Sequence, residues 1–174
     1  MAQSRAARPT APSPLRVLGI DPGTRRMGWG VVERAGVRMR AVAAGVIAMD
    51  AKAPLPERLL VAFEQLEALS EDHAPQVVAV EDIFYARLPS AAIKLGHVRG
   101  VVLVVAARAS LVVAEYPPAL VKRTVAGRGA ADKIQMARLV ASALSLRKAP
   151  PSDAADALAV AMTHLSASRV AAKH

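Results

Sequence analysis

The sequence predicts an α/β protein in which a mixed five-stranded sheet carries helices on both faces. Three observations indicate this fold. The first three predicted strands are joined by short turns, which is typical of an antiparallel meander. Helices and strands then alternate along the rest of the chain. The segment Val77–Val80 is wholly apolar, as expected of a strand that is covered on both faces.

The first half of the chain supplies four strands, of which Val77–Val80 is the last, and one helix. Leu15–Ile20 is an apolar strand that ends at Asp21, where a Pro-Gly pair forces a turn. Trp29–Glu33 and Val37–Met49 are the second and third strands, and Gly45 suggests a bulge in the third. Apolar residues then recur at helical spacing, which predicts a helix over Pro56–Leu69.

The second half supplies one strand and three longer helices. Ala91–Ser110 is apolar on most sides, so we expect a buried helix, and Leu111–Tyr116 is a strand stopped by two prolines. Lys133–Leu146 is amphipathic, and a last helix begins after Pro150 and reaches about Leu165. The predicted apolar positions of the amphipathic helix are Ile134, Met136, Leu139, Val140 and Leu144.

The chain of 174 residues predicts one domain with a sizeable core and without internal repeats. We place this domain at residues 15–168. Residues 1–14 contain two arginines among Ala, Pro and Ser and are interpreted as a disordered basic extension. Residues 169–174 are interpreted as a short basic tail.

The charge balance points to an anionic partner. Lysines and arginines outnumber acids by nine, and DNA, RNA and an anionic membrane surface all fit that excess. A basic composition without any such role is the alternative. No apolar run reaches the ~18 residues of a membrane-spanning helix, because Arg99 and Arg108 interrupt the longest one. The absence of cysteine excludes disulfides and thiolate zinc sites and fits a cytoplasmic location.

Four acids stand where a metal site would need them. Asp21 and Glu81 each follow a predicted core strand, and Asp153 and Asp156 lie three residues apart at the start of a helix. Mg²⁺ takes oxygen ligands and keeps waters, which leaves room for a phosphate. Two such ions can promote phosphodiester hydrolysis. Each acid alone could equally be a turn residue or a helix cap, and only their combination indicates a site.

Several motifs resemble those of the RuvC family of Holliday-junction resolvases. The resemblance runs collinearly from about Val17 to His164. Its segments are Leu18–Thr24, Val80–Phe84, Lys94–Gly96 with Arg99–Gly100, Lys122 with Thr124–Val125, Gly127 and Lys133, and Asp153–Ala159 with Thr163–His164.

This resemblance implies a ribonuclease-H-like fold and paired, metal-dependent incision of four-way junction DNA in recombination and repair. It implies that Asp21, Glu81, Asp153 and Asp156 are catalytic and bind two Mg²⁺ ions per subunit, with Mn²⁺ as a substitute. It also implies a homodimer, for which the helix Ala91–Ser110 is a candidate interface, and cooperation with the RuvA–RuvB branch-migration complex.

Basic and aromatic residues complete the expected DNA interface. The resemblance makes Phe84 a residue that stacks on a base, with Tyr85 beside it, whereas the sequence alone favours a core Phe. Arg87 could meet a phosphate on the same loop. Leu88 departs from the polar residue that the family pattern predicts there.

The segment after the last strand supplies further contacts. The resemblance assigns Lys122 and Lys133 to DNA contact, and a solvated basic face is the alternative. Thr124 and Gly129 are weaker candidates, and Arg123 and Arg128 add charge to the same segment. The four histidines, His73, His97, His164 and His174, show no ligand spacing and are interpreted as structural or surface residues.

Three alternatives remain open from the sequence. A YqgF-like relative shares the opening Asp21–Thr24 but is shorter and lacks the basic segment. An actin-like ATPase or sugar kinase shares the Asp-x-Gly-Thr pattern but needs two such domains. A non-catalytic DNA-binding module would have no need of all four acids.

Overall fold

The predicted mixed sheet is confirmed by the computed structural model, which describes residues 14–82, 89–127 and 131–171. The strand order is β3-β2-β1-β4-β5, with β1 antiparallel to β2, β2 antiparallel to β3, and β4 parallel to both β1 and β5. The strands are β1 (Leu15–Asp21), β2 (Arg26–Ala35), β3 (Arg38–Ala48), β4 (Val77–Glu81) and β5 (Val112–Tyr116).

Helices cover both faces of the sheet, and each face has its own apolar core. One core joins the sheet to the first two helices, and the other joins it to the last three. Side chains alternate between the two faces along each strand, so Leu18 belongs to the first core and Val17 to the second. The helices are α1 (Leu55–His73), α2 (Pro89–Arg108), α3 (Pro118–Ala126), α4 (Lys133–Ala143) and α5 (Ser152–Ala171).

The prediction that α2 is a buried helix was wrong. Its inner side packs in the first core through Val98, Val102 and Val105. Its outer side remains exposed, with Ile93 at 62% and Val104 at 53% of full exposure. An apolar run in the sequence does not distinguish residues that are buried within their own chain from apolar residues that remain on its surface. The helix α2 contains both kinds.

The exposed side of α2 also bears on the membrane expectation. By length and composition alone, Ser90–Arg108 is long and apolar enough to cross a membrane, although we expected its arginines to prevent this. The guanidinium of Arg99 is not a free solvated charge on this helix, because it pairs with Asp82 and Glu115. The inner residues of α2 meanwhile pack against the sheet and α1.

Other local predictions also need correction. The bulge in β3 falls at Val42, where the register with β2 shifts, and not at Gly45. Gly45 is instead required because a Cβ there would lie 2.9 Å from the Trp29 ring. On α4, Ile134 and Leu139 are exposed rather than in the core, and the helix ends at Ala143.

The last helix is longer than the sequence pattern predicted. It continues from Leu165 to Ala171, and Arg34 of β2 donates hydrogen bonds to the carbonyl of Leu165 and the hydroxyl of Ser168. These contacts from a strand to the end of the helix depend on tertiary packing. The apolar pattern of the helix alone could therefore not indicate its full length. The segment at residues 1–13 lies outside the described residues.

Candidate active site

Asp21 and Glu81 end two neighbouring parallel strands. Ile20 pairs in register with Val80, so the next residue of each strand, Asp21 and Glu81, emerges at the same edge of the sheet. The carboxyl ends of parallel strands are where open α/β sheets place their functional groups. Both acids stand where the sequence predicted them, and the parallel pairing of β1 with β4 is what brings them together.

The helix α5 brings Asp153 and Asp156 to this edge by lying directly on the backbone of the sheet. A Cβ on Gly19 would lie 2.0 Å from the carbonyl oxygen of Ala157, and a Cβ on Gly28 would lie 1.9 Å from that of Asp153. Any side chain at either position would therefore push α5 away. The sequence analysis missed this role of Gly19 and Gly28. The signal was present as small residues in β1 and β2 facing an alanine-rich helix.

Three of the four acids line one cavity of about 520 Å³. Asp21, Glu81 and Asp156 share its wall with Lys122 and Lys133. Its other lining residues are Pro118, Val121, Ala131, Asp132 and Met136. The structure therefore brings together three predicted catalytic residues and two predicted DNA-binding residues.

Asp153 lies beside this cavity and has a partner of its own. Its carboxylate accepts a hydrogen bond from Nε of Arg26 at 2.7 Å. Arg26 opens β2 and is exposed, and the sequence analysis did not single it out. The charge of Asp153 still contributes to the raised pKa of Asp21 and of Asp156.

The carboxylates of the cavity repel one another, and the neighbouring lysines do not fully compensate this repulsion. Burial, followed by the charge of Glu81, raises the pKa of Asp21 to about 7. The charges of Asp156 and Asp153 contribute smaller parts of the same rise in pKa, and Lys133 opposes it. A carboxyl group with such a pKa is half protonated near neutral pH, and a bound cation would favour its charged form.

The two other acids in the cavity show the same effect. Burial is the largest cause of the raised pKa of Glu81, and the charge of Asp156 adds to it. Burial also raises the pKa of Asp156, and there Asp153 supplies the repulsion. Lys122 and Lys133 lower both of these pKa values.

The two lysines reach the cavity from different helices. Lys133 begins α4, directly after Asp132, whose side chain accepts from the Gln135 backbone while the Gln135 side chain accepts from the Asp132 backbone. This capping box fixes the first turn of α4. Lys122 lies on α3 and is exposed at the rim.

The donor set fits hard cations such as Mg²⁺. Within the described ranges, no three acidic or histidine side chains surround a common point closely enough to enclose an ion. Mg²⁺ does not need such a cage, because proteins usually hold it with one or two carboxylates and leave waters and substrate phosphates to complete the shell. Carboxylates with raised pKa values at an open cavity are consistent with that mode of binding.

An ion-pair network lies next to Glu81. Arg99 of α2 contacts Asp82 at 3.4 Å and also pairs with Glu115 of β5. The Asp82 backbone N–H donates to the Tyr116 carbonyl at 2.8 Å. The carboxyl ends of β4 and β5 are thus tied to each other and to α2, which limits how far Glu81 can move.

The histidines and Thr124 take structural places. The Nδ1 of His164 lies 2.8 Å from the Tyr116 hydroxyl, and His73 stacks on Trp29. His97 is exposed on α2. The Thr124 hydroxyl donates to the Leu120 carbonyl one turn earlier, so it is less available to DNA than the sequence suggested.

Several predicted DNA contacts lie outside the described residues. Phe84, Tyr85, Arg87 and Leu88 fall in the segment 83–88, and Arg128 and Gly129 fall in 128–130. His174 lies beyond residue 171. The roles predicted for these residues stay predictions.

Comparison with known proteins gives consistent matches over most of the chain. The family model described as crossover junction endodeoxyribonuclease RuvC matches residues 17–164. Proteins of the same description from Sorangium cellulosum and Caulobacter vibrioides are 52% and 48% identical to this chain. The first match covers 91% of this chain and 88% of that protein, and the second covers 87% and 89%.

Solved structures agree with the sequence matches. The structure of T. thermophilus RuvC in complex with Holliday junction substrate is 37% identical, with a TM-score of 0.85 over 90% of this chain and 96% of that one. The yeast mitochondrial Holliday junction resolvase Ydc2 is 15% identical, with a TM-score of 0.64 over 86% of this chain and 77% of that one. At that identity the similarity to Ydc2 shows a shared fold only.

Proposed function

Because the chain belongs to the RuvC family of crossover junction endodeoxyribonucleases, it is a metal-dependent nuclease that resolves Holliday junctions, and we propose that Asp21, Glu81, Asp153 and Asp156 cut the DNA. The observation that supports this assignment is the cavity in which three of these carboxylates meet Lys122 and Lys133. The proposed reaction is a paired hydrolysis of phosphodiester bonds that leaves nicked duplex products.

We propose two Mg²⁺ ions per subunit, for which Mn²⁺ can substitute. The four carboxylates would hold them, since each offers only oxygen ligands and three have raised pKa values. When bound, the ions activate a water molecule and stabilise the leaving oxygen. The chain itself fixes the carboxylates on the ends of β1, β4 and α5 and keeps two lysines beside them.

The basic and aromatic residues bind and open the substrate in this proposal. Lys122 and Lys133 contact phosphates next to the carboxylates, and Lys133 also neutralises charge that develops on the cut phosphate. Phe84 stacks on a base of the opened junction, and Arg87 meets a nearby phosphate. The support for the lysines is their place in the cavity, and for the other two it is the family pattern.

We propose that the active unit is a homodimer formed through the outer side of α2. Ile93 and Val104 are exposed there, and a Cβ added to Gly96 or Gly100 would meet nothing within 4 Å. A helix with glycines spaced by four on an open apolar side allows a second helix to approach closely. Within the helix that we named as a candidate interface, Val98, Val102, Val105 and Ala106 are buried within the subunit and do not contribute.

Two-fold symmetry also suits the substrate. A four-way junction has two equivalent strands, and a dimer offers one carboxylate cluster to each.

Cooperation with the RuvA–RuvB branch-migration complex and a cytoplasmic location complete the proposal. Both rest on membership of the family.

The test is a cleavage assay on a four-way junction and on a linear duplex of the same sequence, resolved on denaturing gels. We expect symmetric cuts in the junction with Mg²⁺ or Mn²⁺, and binding without cutting in Ca²⁺, whose looser coordination positions water poorly. Full activity in excess EDTA, or equal cutting of the linear duplex, would contradict the proposal.

The alternatives find no comparable support. A nucleotide-hydrolysis assay run beside the cleavage assay addresses the actin-like ATPase, for which we expect no activity. The family match over residues 17–164 includes the basic segment and the closing motif that a YqgF-like relative lacks. Junction binding without incision in Mg²⁺ would instead favour the non-catalytic module.

A further inference from the structure

A second cavity lies beside the catalytic one, on the other side of the sheet. Its volume is about 350 Å³, and we call it the α2 cavity. One wall is the turn directly after Asp21, formed by Pro22, Gly23 and Thr24, and the other wall is the first two turns of α2. The residues from α2 are Ser90, Ala91, Lys94 and Leu95.

The two cavities are separated by the edge of the sheet. The catalytic cavity is lined by residues of α3, α4 and α5, which pack on one face, whereas α2 packs on the opposite face with α1. They share no lining residue, but Asp21 lines the first and Pro22 lines the second. The two cavities are therefore adjacent at the end of β1, where consecutive residues of the chain line one and then the other.

The chemistry of the α2 cavity suits an anion. It presents one ammonium group, on Lys94, and the hydroxyls of Thr24 and Ser90. None of its described lining residues is acidic. In contrast, the groove between α1 and α2 at the far end of the molecule contains Glu67 and Glu71 beside Arg108, which is already paired with Glu67, so its carboxylates outnumber its cations.

The wall opposite α2 is fixed, and it has a positive charge behind it. A Cβ on Gly23 would lie 2.0 Å from the Arg26 carbonyl oxygen, so the turn is tight. A guanidinium N–H of Arg58 donates to the Thr24 carbonyl at 2.7 Å. The Nε of Arg58 is buried and has no partner among the described residues. A partly buried cation of this kind favours an anion nearby.

We propose that the α2 cavity binds a backbone phosphate of the cut strand, next to the phosphate held at the carboxylates, with Lys94 as its cation. This inference rests on the proposed function, because it assumes that DNA lies at Asp21. A phosphate fixed on each side of the sheet edge would set the direction of the strand across the carboxylates. Lys94 is thus a positioning residue for the cut.

The first experiment measures the salt dependence of binding to a four-way junction in Ca²⁺. Each phosphate contact contributes a slope of about 0.9 in log Kd against log salt. We expect Lys94→Ala to lower the slope by about that amount and Lys94→Arg to keep it. Arg108→Ala is the control, because it removes one cation from the same helix about 21 Å away, and it should retain the wild-type slope.

The second experiment locates the phosphate with junctions that carry a single neutral methylphosphonate at each position beside the mapped cut. One substitution should weaken wild-type binding and leave binding of Lys94→Ala unchanged, because the partner of that phosphate is already absent. If the wild type cuts junctions but every methylphosphonate weakens both proteins equally, the α2 cavity binds no phosphate and only this inference fails. If the wild type cuts no junction, the proposed function fails instead.

Discussion

The ammonium group of Lys133 lies 3.9 Å from the carboxylate of Asp156 in the cavity that both residues line with Asp21 and Glu81. This separation is longer than a hydrogen bond, so the two groups attract each other through charge alone. Lys133 is mostly exposed and Asp156 is not, and water therefore screens the pair from the lysine side. The lysine moderates the repulsion among the carboxylates without neutralising it.

We predict that Lys133→Met raises the pKa of Asp156. Lys133 lowers the pKa of Asp156, Glu81 and Asp21 in the folded protein, and its removal leaves their mutual repulsion unopposed. Carbon-13 NMR titration of the carboxyl groups in metal-free protein measures this directly. Lys52→Met is the control, since it removes an equal charge from the exposed turn before α1. An unchanged titration of Asp156 would show that Lys133 is too well solvated to act.

We predict that Asp21→Asn stabilises the metal-free protein above neutral pH. The pKa of Asp21 is raised from 3.8 to about 7 on folding, so the folded state binds more protons than the unfolded state between those values. Stability therefore falls as pH rises through that window. Each unit of pKa corresponds to about 1.4 kcal/mol, so the gain at pH 8 is a few kcal/mol at most.

Thermal unfolding in EDTA at pH 5 and pH 8 tests this prediction. The difference in Tm between Asp21→Asn and wild type should be larger at pH 8, and adding Mg²⁺ at that pH should raise the wild-type Tm more than that of the variant. Asp72→Asn, which changes an exposed acid on α1, should match the wild type. A difference that shrinks as pH rises would contradict the raised pKa.

We predict that Asp156→Asn abolishes incision and leaves junction binding largely intact. The substitution keeps the shape of the side chain but removes an anionic ligand, whereas DNA affinity comes from the basic residues. Cleavage on denaturing gels and binding in gel-shift assays separate the two effects. Cutting at the wild-type rate would remove Asp156 from the catalytic set.

We predict different effects of removing a lysine and removing an aromatic residue from the DNA interface. Lys122→Ala should weaken binding to the junction and lower the slope of log Kd against log salt by about one phosphate contact.

Phe84→Ala should impair cutting without changing this slope, because stacking releases no counterions. Stacking is worth ~1–3 kcal/mol per base. If Phe84→Ala instead lowers the Tm sharply, Phe84 is a core residue and not a stacking one.

We predict that Val104→Glu disrupts a dimer formed through α2. Val104 is 53% exposed on the outer side of the helix, where a buried carboxylate would be costly in the dimer and harmless in the monomer. Val37→Glu, at a position 71% exposed at the end of the β2–β3 hairpin, is the matched control. Sedimentation at several concentrations should show a monomer for the first variant only.

Mixed dimers extend the same prediction to activity. Active protein mixed with excess Asp21→Asn protein should nick one strand of the junction and leave the equivalent strand intact. A protein that sediments as a monomer on the junction and still makes both cuts would rule out the dimer.

Local sequence patterns were enough to predict most helices and strands and the candidate carboxylates of the site. Apolar runs ending at Asp21 and Glu81, and the pair Asp153 and Asp156 after a helix start, were visible because strand ends and helix starts are local features. The order of strands and helices also sufficed for the mixed sheet. The basic segment with Lys122 and Lys133 was visible from composition and family pattern.

The arrangement of these residues relative to one another depends on how distant segments of the chain pack. The meeting of Asp21 with Asp156 depends on the close approach of α5 to Gly19 and Gly28, and the pairing of Arg26 with Asp153 joins residues 127 positions apart in the chain. The raised pKa of Asp21 arises from burial and from acids distant in sequence. Local patterns indicate what each segment can form, whereas distances and burial are set when segments pack. For that reason the sequence predicted candidate ligands but not their geometry.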